Sequence, residues 1–530
     1  MRAPQVPAEK APGQEAAVVV LCGDLGAQPA THQFEELQVR LRQELSGTLV
    51  LRVPGMCERP KGLVEALSPL HPRRVVLACR VASQRLGELH TALRRAAVPP
   101  GGVDIVDLAI SPGLTDQGAR RIALEQSIAL LKAAVARVTA ADLEAPVCER
   151  TSLSVGGVSR RSLFRGGSSA RHPVAVWQPE RCPGGVGCTA CVKACPHGAL
   201  SRQAARVVVD GDSCTSCGVC VAACHNGAFT LPGAGLDGLA AAAGILVESI
   251  AKRGSATGVA LVCQQAKTGP RLGDQFLALR VPSMEMVSAG WLLQLLAAGV
   301  GTKVVACEDS LCCERGGELS SFVNALAGVL GAKPEAAQGP GGRARLSQAG
   351  REAVRGEQVR IELREPQSTM QALAALGGLE TDRTRWQAAG PGCSLGMLRV
   401  DASGCSLCEV CVSVCPTGAL QAERGPAESL RLSFDPGCCT ACGACVAGCP
   451  EGAVGLEKAV AGADVGAGRR VVATQRPVTC ESCGAPLGAG LSVAALLRMG
   501  ASHPFIDAAA SRICADCRLG GRSVSSRGTP

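Results

Sequence analysis

The chain has 530 residues but contains no tyrosine, and all aromatic residues together make up only 2% of it. Proteins that hold single-stranded nucleic acid without sequence preference stack the bases on aromatic side chains, so this scarcity argues against a nucleic-acid partner. Hydrophobic residues still reach 47% of the chain. The sequence therefore predicts packed cores built from alanine, valine and leucine.

Long uncharged apolar runs are also missing. A membrane-spanning helix needs about 18 or more such residues, and the nearest approach, MVSAGWLLQLLAAGV at 286–300, is shorter and contains Gln294. We interpret it as a core helix. The first residues show no charged segment followed by an apolar one, as a secretory signal would. We therefore expect a cytoplasmic protein with no membrane span, where reducing conditions leave thiols available for metal.

Nucleotide-binding loops are not found beside the predicted strands. No predicted strand runs into a G-x-G-x-x-G loop, and the chain has no P-loop. Both motifs cradle the phosphates of nucleotides at the start of a helix. We therefore expect that the chain itself binds neither flavin nor nicotinamide.

Cysteine, by contrast, is abundant, with 30 in the chain and many of them in two dense blocks, 175–235 and 393–457. The stretch CSLCEVCVSVCP at 405–416 has the spacing C-x2-C-x2-C-x3-C-P, which is the bacterial ferredoxin pattern for 4Fe–4S clusters. In this pattern three cysteines bind one cluster and the fourth binds its neighbour. The second block then predicts two clusters, with the ligand sets Cys405, Cys408, Cys411 and Cys449, and Cys439, Cys442, Cys445 and Cys415.

The first block repeats the second. VKACPHGAL at 192–200 matches VSVCPTGAL at 412–420, and CGVCVAAC at 217–224 matches CGACVAGC at 442–449, which indicates duplication of one module. Five residues separate the first two cysteines of this block where the pattern has two. For all four cysteine runs of the two blocks, structural zinc is the alternative. The predicted ligand sets are Cys214, Cys217, Cys220 and Cys195, and Cys182, Cys188, Cys191 and Cys224.

The formal net charge of +9 counts every cysteine as neutral. A 4Fe–4S cluster together with its four thiolates carries about −2, so four clusters would roughly cancel the positive charge. The basic balance is therefore no argument for a nucleic-acid or membrane partner.

The remaining chain alternates strands and helices. Residues 17–149 contain the strand candidates AVVVLC, GTLVLRV, RRVVLAC and VDIVDLA, and residues 240–385 contain GVALVC, LALRVP, KVVACE and VRIELREP. Segments with helical spacing of apolar residues lie between them, which predicts a small α/β domain with a sheet in each region. Residues 150–174 are rich in glycine, serine and arginine and are interpreted as a linker.

Cysteines follow two strands of the second α/β region. Cys263 ends GVALVC, Cys307 ends KVVAC, and Cys312 and Cys313 come next; α/β folds bind ligands at such strand ends. Through LVCQQA, LRVPSMEMVSAGWLLQLLAAGV and VVACEDSLCC, this region resembles the delta subunit of methyl-viologen-reducing hydrogenase. The resemblance implies a 2Fe–2S cluster at these four cysteines, and ordinary thiols are the alternative.

The first α/β region contains VVVLCGDLG, VPGMCERPKGLVEAL and RRVVLACRVASQRLGELHTALRRAAV. With these stretches it resembles the N-terminal domain of the flavin-containing subunit of heterodisulfide reductase. The resemblance implies a further cluster with Cys22, Cys57 and Cys79 among its ligands. The alternative is that the fold persists without the cluster.

The C-terminal segment carries two C-x2-C pairs, Cys480 with Cys483 and Cys514 with Cys517. Two such pairs can converge on one tetrahedral Zn²⁺, and we expect zinc here. A rubredoxin-like iron or another cluster is the alternative.

These assignments predict a multidomain α/β plus α+β protein, in which two small α/β domains are interleaved with two ferredoxin-like dicluster modules before a C-terminal zinc-ribbon-like knuckle. The predicted segments are a loose N-terminus at 1–16, an α/β domain at 17–149, a linker at 150–174, a dicluster module at 175–235, an α/β domain at 240–385, a second dicluster module at 393–457 and the knuckle at 475–520.

Several one-electron centres without a substrate-pocket motif predict a polyferredoxin-like electron-transfer protein rather than an enzyme. The resemblances imply flavoprotein, hydrogenase or heterodisulfide-reductase-type redox subunits as partners. The alternative is a cluster-based oxidoreductase that acts itself on a disulfide or small substrate, with Cys312 and Cys313 as its active site. A redox-sensing or metal-storage scaffold is a third hypothesis, but it does not explain why the ferredoxin runs come in complete pairs.

Overall fold

The computed structural model divides the chain into two compact units. The first unit contains residues 1–183, 189–379 and 389–393, and the second contains 184–188, 380–388 and 394–530. The residues that the structure describes are 16–22, 29–79, 86–108, 116–141, 143, 174–182, 188–204, 206–224, 226–231, 233–253, 256–266, 275–307, 313, 316–319, 321, 343–344, 361–363, 367–375, 386–387, 396–425, 429–457, 459–460, 468–475, 479–485, 513–514 and 516–517.

The first unit begins with a four-stranded parallel sheet in the order β2-β1-β3-β4. Alternate residues of β1 pack into different hydrophobic clusters, Val18 and Val20 into one and Val19 and Leu21 into the other. Both faces of the sheet are therefore buried, which explains the continuous apolar sequence of its central strands. The elements are β1 Ala17–Leu21, α1 Pro29–Glu44, β2 Leu49–Arg52, α2 Lys61–Leu67, β3 Arg74–Cys79, α3 Leu86–Arg95, β4 Val103–Asp107 and α4 Gln117–Thr139.

The first cysteine-dense block follows as short elements. Two antiparallel strand pairs, β5 with β8 and β6 with β7, accompany two helices of five residues each. Each helix begins within a cysteine run, so the cysteines lie on tight loops and first helical turns. The elements are β5 Val176–Trp177, α5 Ala190–Ala194, β6 Leu200–Gln203, β7 Arg206–Val209, α6 Val219–Ala223 and β8 Phe229–Thr230.

The middle domain carries a second four-stranded sheet, ordered β10-β9-β11-β12, with three parallel strands and β12 antiparallel. The stretch predicted as a core helix is α8, in which every residue including Gln294 is buried. The elements are α7 Leu236–Arg253, β9 Gly258–Cys263, β10 Phe276–Val281, α8 Ala289–Ala297, β11 Gly301–Val305, β12 Arg343–Ala344 and α9 Gln367–Ala375.

One predicted strand, VRIELREP at 359–366, is wrong in its described part, because 361–363 is not a strand. Side chains of α8 satisfy its backbone instead. Gln294 Oε1 accepts from the N–H groups of Glu362 and Leu363, at 3.0 and 3.2 Å, and Trp291 Nε1 donates to the Leu363 carbonyl at 3.0 Å. Ile361 and Leu363 are thus buried although 361–363 forms no strand.

The second unit is built from antiparallel strands. It contains the pairs β13 with β18 and β14 with β17, and the three-stranded sheet β15-β16-β19. No helix in the described part of the whole chain is long and apolar enough to cross a membrane. The elements are β13 Trp386–Gln387, β14 Met397–Val400, α10 Val410–Ser413, β15 Leu420–Arg424, β16 Leu430–Phe434, α11 Ala444–Gly448, β17 Val454–Glu457, β18 Ala459–Val460 and β19 Arg470–Gln475.

Candidate metal centres

Three C-x2-C-x2-C loops share one backbone conformation. The residues on both sides of the middle cysteine have positive φ, which costs a non-glycine residue about 1–2 kcal/mol. Such strain is retained where a loop clamps a ligand, and the cysteine spacing alone does not reveal it. The residues are Ser216 (61°) and Gly218 (80°) around Cys217, Leu407 (52°) and Glu409 (61°) around Cys408, and Ala441 (50°) and Gly443 (75°) around Cys442.

The second cysteine block surrounds two cavities, and the cysteines divide between them as the predicted ligand sets do. Both cavities are small and largely apolar apart from the thiols. One is lined by Cys405, Cys408, Cys411 and Cys449. The other is lined by Cys415, Cys439, Cys442 and Cys445.

Burial makes these thiols hard to ionise in the metal-free protein. It is the largest cause that raises the pKa of Cys411 to about 12, of Cys439 to about 12 and of Cys445 to about 11. Neighbouring thiolates raise the same pKa values further. A bound cationic centre offsets both effects on the pKa values, because its positive charge stabilises the buried thiolates.

In the first cysteine block, thiols of both predicted sets influence Cys220. Burial is the largest cause that raises its pKa, and the charges of Cys217, Cys214, Cys195 and Cys191 raise it further. The cysteines of the other predicted set, Cys182, Cys188, Cys191 and Cys224, are all half-buried. In this set the Cys224 sulfur accepts a hydrogen bond from the Ala228 N–H at 3.2 Å.

An aspartate stands four residues before the first cysteine of three runs. In each case its carboxylate accepts from the N–H two residues later, at 2.9–3.0 Å, and so shapes the turn that leads into the cysteines. Serine hydroxyls hold the pKa of Asp210 and Asp401 below the ordinary range. The recurring D-x3-C spacing is visible in the sequence, although our sequence reasoning missed it; the aspartates are Asp210, Asp401 and Asp435.

The N-terminal sheet brings Cys22, Cys57 and Cys79 together at the carboxyl ends of its strands. All three thiols are buried and lie within 4.8 Å of one another, and the Cys22 and Cys57 sulfurs are 3.7 Å apart. Two thiolates on one tetrahedral ion at about 2.3 Å lie about 3.8 Å apart. Burial raises the pKa of Cys57. The three cysteines implied by the resemblance therefore form a site whose spacing suits metal.

The middle sheet repeats this arrangement. Cys263 ends β9, Cys307 follows β11, and with Cys313 they form a second three-thiol group within 4.8 Å. Cys307 Sγ lies 3.4 Å from Cys313 Sγ, close enough for both to bind one iron. Cys312, the fourth predicted ligand, lies outside the described residues.

The four C-terminal cysteines also converge. The thiols of Cys480, Cys483, Cys514 and Cys517 lie within 4.8 Å of one another, and the Cys483 and Cys514 sulfurs are 3.7 Å apart. This spacing suits four thiolates on one tetrahedral ion.

The expectation that no strand is followed by a G-x-G-x-x-G loop is wrong, because one such motif follows β8. Gly233, Gly235 and Gly238 form a G-x-G-x-x-G that begins after β8 and ends in the first turn of α7. The dinucleotide fingerprint requires a parallel βαβ unit, whereas β8 has two residues and pairs antiparallel with β5. The Gly233 carbonyl oxygen is occupied by the Arg137 guanidinium. The motif therefore lacks the context that nucleotide binding needs.

Two segments match known families. Residues 147–228 match the family described as 4Fe-4S dicluster domain, and residues 398–421 match the family described as 4Fe-4S binding domain. The chain carries two ferredoxin-type 4Fe–4S domains. They support an iron–sulfur electron-transfer role for the protein. No curated protein matches the chain.

Proposed function

We propose that the chain is a polyferredoxin-like protein that relays single electrons within a redox complex of the heterodisulfide-reductase or hydrogenase type. The observation that carries the proposal is the pair of cavities in the second unit, each lined by four cysteines drawn from two different ferredoxin runs. Crossed ligation of this kind is what dicluster ferredoxins use to hold two clusters close together.

The residues present fit iron–sulfur clusters in their chemistry. Thiolate sulfur is the ligand that such clusters require, and the two cavities of the second unit are each lined by four cysteines. When bound, the clusters supply one-electron redox chemistry at potentials set by hydrogen bonds to sulfur and by burial. The chain's own contribution is the strained loops, the aspartate-shaped turns and N–H groups aimed at sulfur, such as that of Ala228 toward Cys224.

The α/β domains extend the proposed relay. The middle site, Cys263, Cys307 and Cys313 with Cys312, is proposed to hold a 2Fe–2S cluster, and the N-terminal site a further cluster. Cys313 is buried beside Cys307, which supports a ligand role over that of a substrate-attacking thiol. The expected partners are flavoprotein or hydrogenase-type subunits, at which two-electron chemistry would occur.

Iron and acid-labile sulfide per chain, measured on anaerobically purified protein, test the proposal together with EPR of the dithionite-reduced sample. Four ferredoxin clusters predict about sixteen irons and interacting cubane signals. A distinct 2Fe–2S signal with about two further irons would add the middle site. Abundant zinc with little iron would overturn the electron-transfer role.

A further inference from the structure

A short segment after β10 touches both the first ferredoxin-type domain and the middle three-cysteine site. Ser283 is 1% exposed, and its Oγ donates a hydrogen bond to the Cys217 carbonyl oxygen at 3.0 Å. The preceding residue, Pro282, places its carbonyl oxygen 3.7 Å from Cys263 Sγ. Two consecutive residues thus contact a cysteine of each site.

The strand ladder adds a second connection on the Cys263 side. The N–H of Gln264 donates to the Val281 carbonyl oxygen at 2.8 Å, immediately before Pro282. Cys263 itself is fully buried, so bulk solvent does not reach this side of the connection. From Cys263 to Cys217 the path consists of the covalent bonds of 263–264 and of 281–283, joined by the hydrogen bonds from Gln264 to Val281 and from Ser283 to Cys217.

Close packing fixes the same contact. Gly218 follows Cys217, and a Cβ at Gly218 would lie only 2.6 Å from Met286 Sδ. Met284 and Met286 are both fully buried and lie in a 3-10 turn directly after Ser283. The cysteine loop therefore leaves no room for a side chain between Gly218 and Met286 of the middle domain.

We propose that the 282–283 segment is the electron-transfer contact between the Cys217 site and the Cys263 site, with Ser283 as its positioning residue. The inference rests on the proposed function, because it needs a redox centre at each site. Electron tunnelling weakens steeply with distance and is favoured by covalent and hydrogen-bonded paths over gaps. One electron passes along the segment in either direction, so one site is oxidised as the other is reduced, and no covalent bond breaks.

Ser283→Ala in the iron-loaded full-length protein tests the contact. Flash photoreduction followed by transient absorption measures how fast an electron equilibrates between the two sites. We expect slower equilibration in Ser283→Ala, with iron content and the EPR spectrum of each centre unchanged, and recovery in Ser283→Thr, which keeps the hydroxyl. Ser288→Ala is the matched control, because Ser288 is equally buried and its hydroxyl accepts from the Trp291 N–H within the same domain.

Equal equilibration rates in wild type, Ser283→Ala and Ser288→Ala would overturn the inference while leaving the proposed function intact. A failure of the proposed function differs, because the wild-type protein itself would then lack the iron signals. If Ser283→Ala does not load iron, pulsed EPR of the reduced wild-type protein tests the contact instead. A dipolar interaction between the two reduced centres is expected, and its absence would exclude the contact.

Discussion

Arg280 and Asp107 form an ion pair between two different sheets, with Arg280 Nη2 2.7 Å from Asp107 Oδ2. Asp107 ends β4 and Arg280 lies in β10, and each strand is the edge of its sheet. Arg137 reinforces the junction, since its guanidinium donates to the carbonyl oxygens of Arg280 and Gly233 and lies 3.8 Å from Asp104 Oδ2. Charged side chains thus join the two α/β domains of the first unit.

Replacement of Arg137 tests the strength of this junction. The side chain is only 9% exposed, and removal of one partner from a buried charged network costs about 3–5 kcal/mol. We expect Arg137→Met to lower the free energy of unfolding of the first unit by that order, measured by urea unfolding with hydrogen exchange at β4 and β10.

Lys61→Met is the control for Arg137→Met. Lys61 pairs with Glu65 in the same unit, but its side chain is 89% exposed. Exposed pairs contribute at most about 1 kcal/mol, so this variant should unfold almost as the wild type does. Similar losses in the two variants would show that the buried network does not hold the domains together.

The residue after the middle cysteine offers a matched series across three loops. Gly218, Glu409 and Gly443 all have positive φ. Glu409→Gly should stabilise its loop by up to about 1 kcal/mol, because relief of left-handed strain outweighs the added freedom of glycine in the unfolded chain. Gly443→Ala should destabilise its loop by about 1 kcal/mol. A Cβ at this position meets no other atom, so the cost comes from the left-handed backbone conformation alone.

Gly218→Ala should cost more than Gly443→Ala, because the new Cβ collides with Met286 in addition to the strain. The free energy of unfolding and the rate of iron release to a chelator would both report the difference. Equal effects of the two substitutions would contradict the close contact between the first cysteine loop and the middle domain.

Local patterns in the sequence predicted much of this architecture. Continuous apolar runs such as GVALVC correspond to strands buried on both faces, and the ferredoxin spacing grouped cysteines that the structure places around common cavities. These features depend on neighbours a few residues apart. The VRIELREP segment failed because a buried glutamine, Gln294, supplies hydrogen bonds that a strand would otherwise provide, and no local pattern reports such a partner.

Contacts between segments that are distant along the chain could not be predicted from the sequence either. Ser283 and Cys217 stand 66 residues apart, and neither PSMEM nor SCGVC hints at the other. Left-handed φ at glycines is a common expectation, but at Leu407 and Ala441 it is imposed by the loop as a whole. The candidate ligand cysteines could be predicted from the sequence, whereas the contacts between sites could be found only in the folded structure.

Substitution of single cysteines in the second unit tests the ligand assignment. Cys411 lines one of the two cavities, and Cys411→Ser should remove about four irons per chain and disorder the block locally, because folding and cluster insertion are coupled. Cys438→Ser is the control, since Cys438 lies beside Cys439 outside the predicted sets and its thiol faces Asp435 Oδ2 at 3.6 Å. Unchanged iron in Cys411→Ser would refute the assignment.

The pH dependence of iron loading follows from the buried thiols. Burial raises the pKa of Cys411 to about 12 and of Cys445 to about 11, so both are protonated in the iron-free protein at neutral pH. Iron binds thiolate, and each such ligand must release a proton. Loading should therefore become more favourable as pH rises toward these values. Reconstitution in weak buffer with a pH indicator should show proton release, and uptake without release would contradict the shifts.

Metal identity at the C-terminus is open to a test that leaves the clusters in place. The N–H of Cys514 is the largest cause that lowers the pKa of Cys480 to about 6, whereas hydrogen bonds with Cys514 and Cys483 raise the pKa of Cys517 to about 12. At neutral pH the metal-free site thus presents the Cys480 thiolate beside a protonated thiol. Zinc affinity should rise with pH, because binding displaces the remaining protons.

Cys480→Ser should abolish zinc in metal analysis while iron and sulfide stay at wild-type levels, because the four C-terminal thiols lie within 4.8 Å of one another and are proposed to bind one ion of their own. Cys438→Ser serves again as the matched control and should leave both metals unchanged. Loss of about one iron and no zinc in Cys480→Ser would establish a rubredoxin-like iron instead. Loss of several irons would show that these cysteines belong to a cluster.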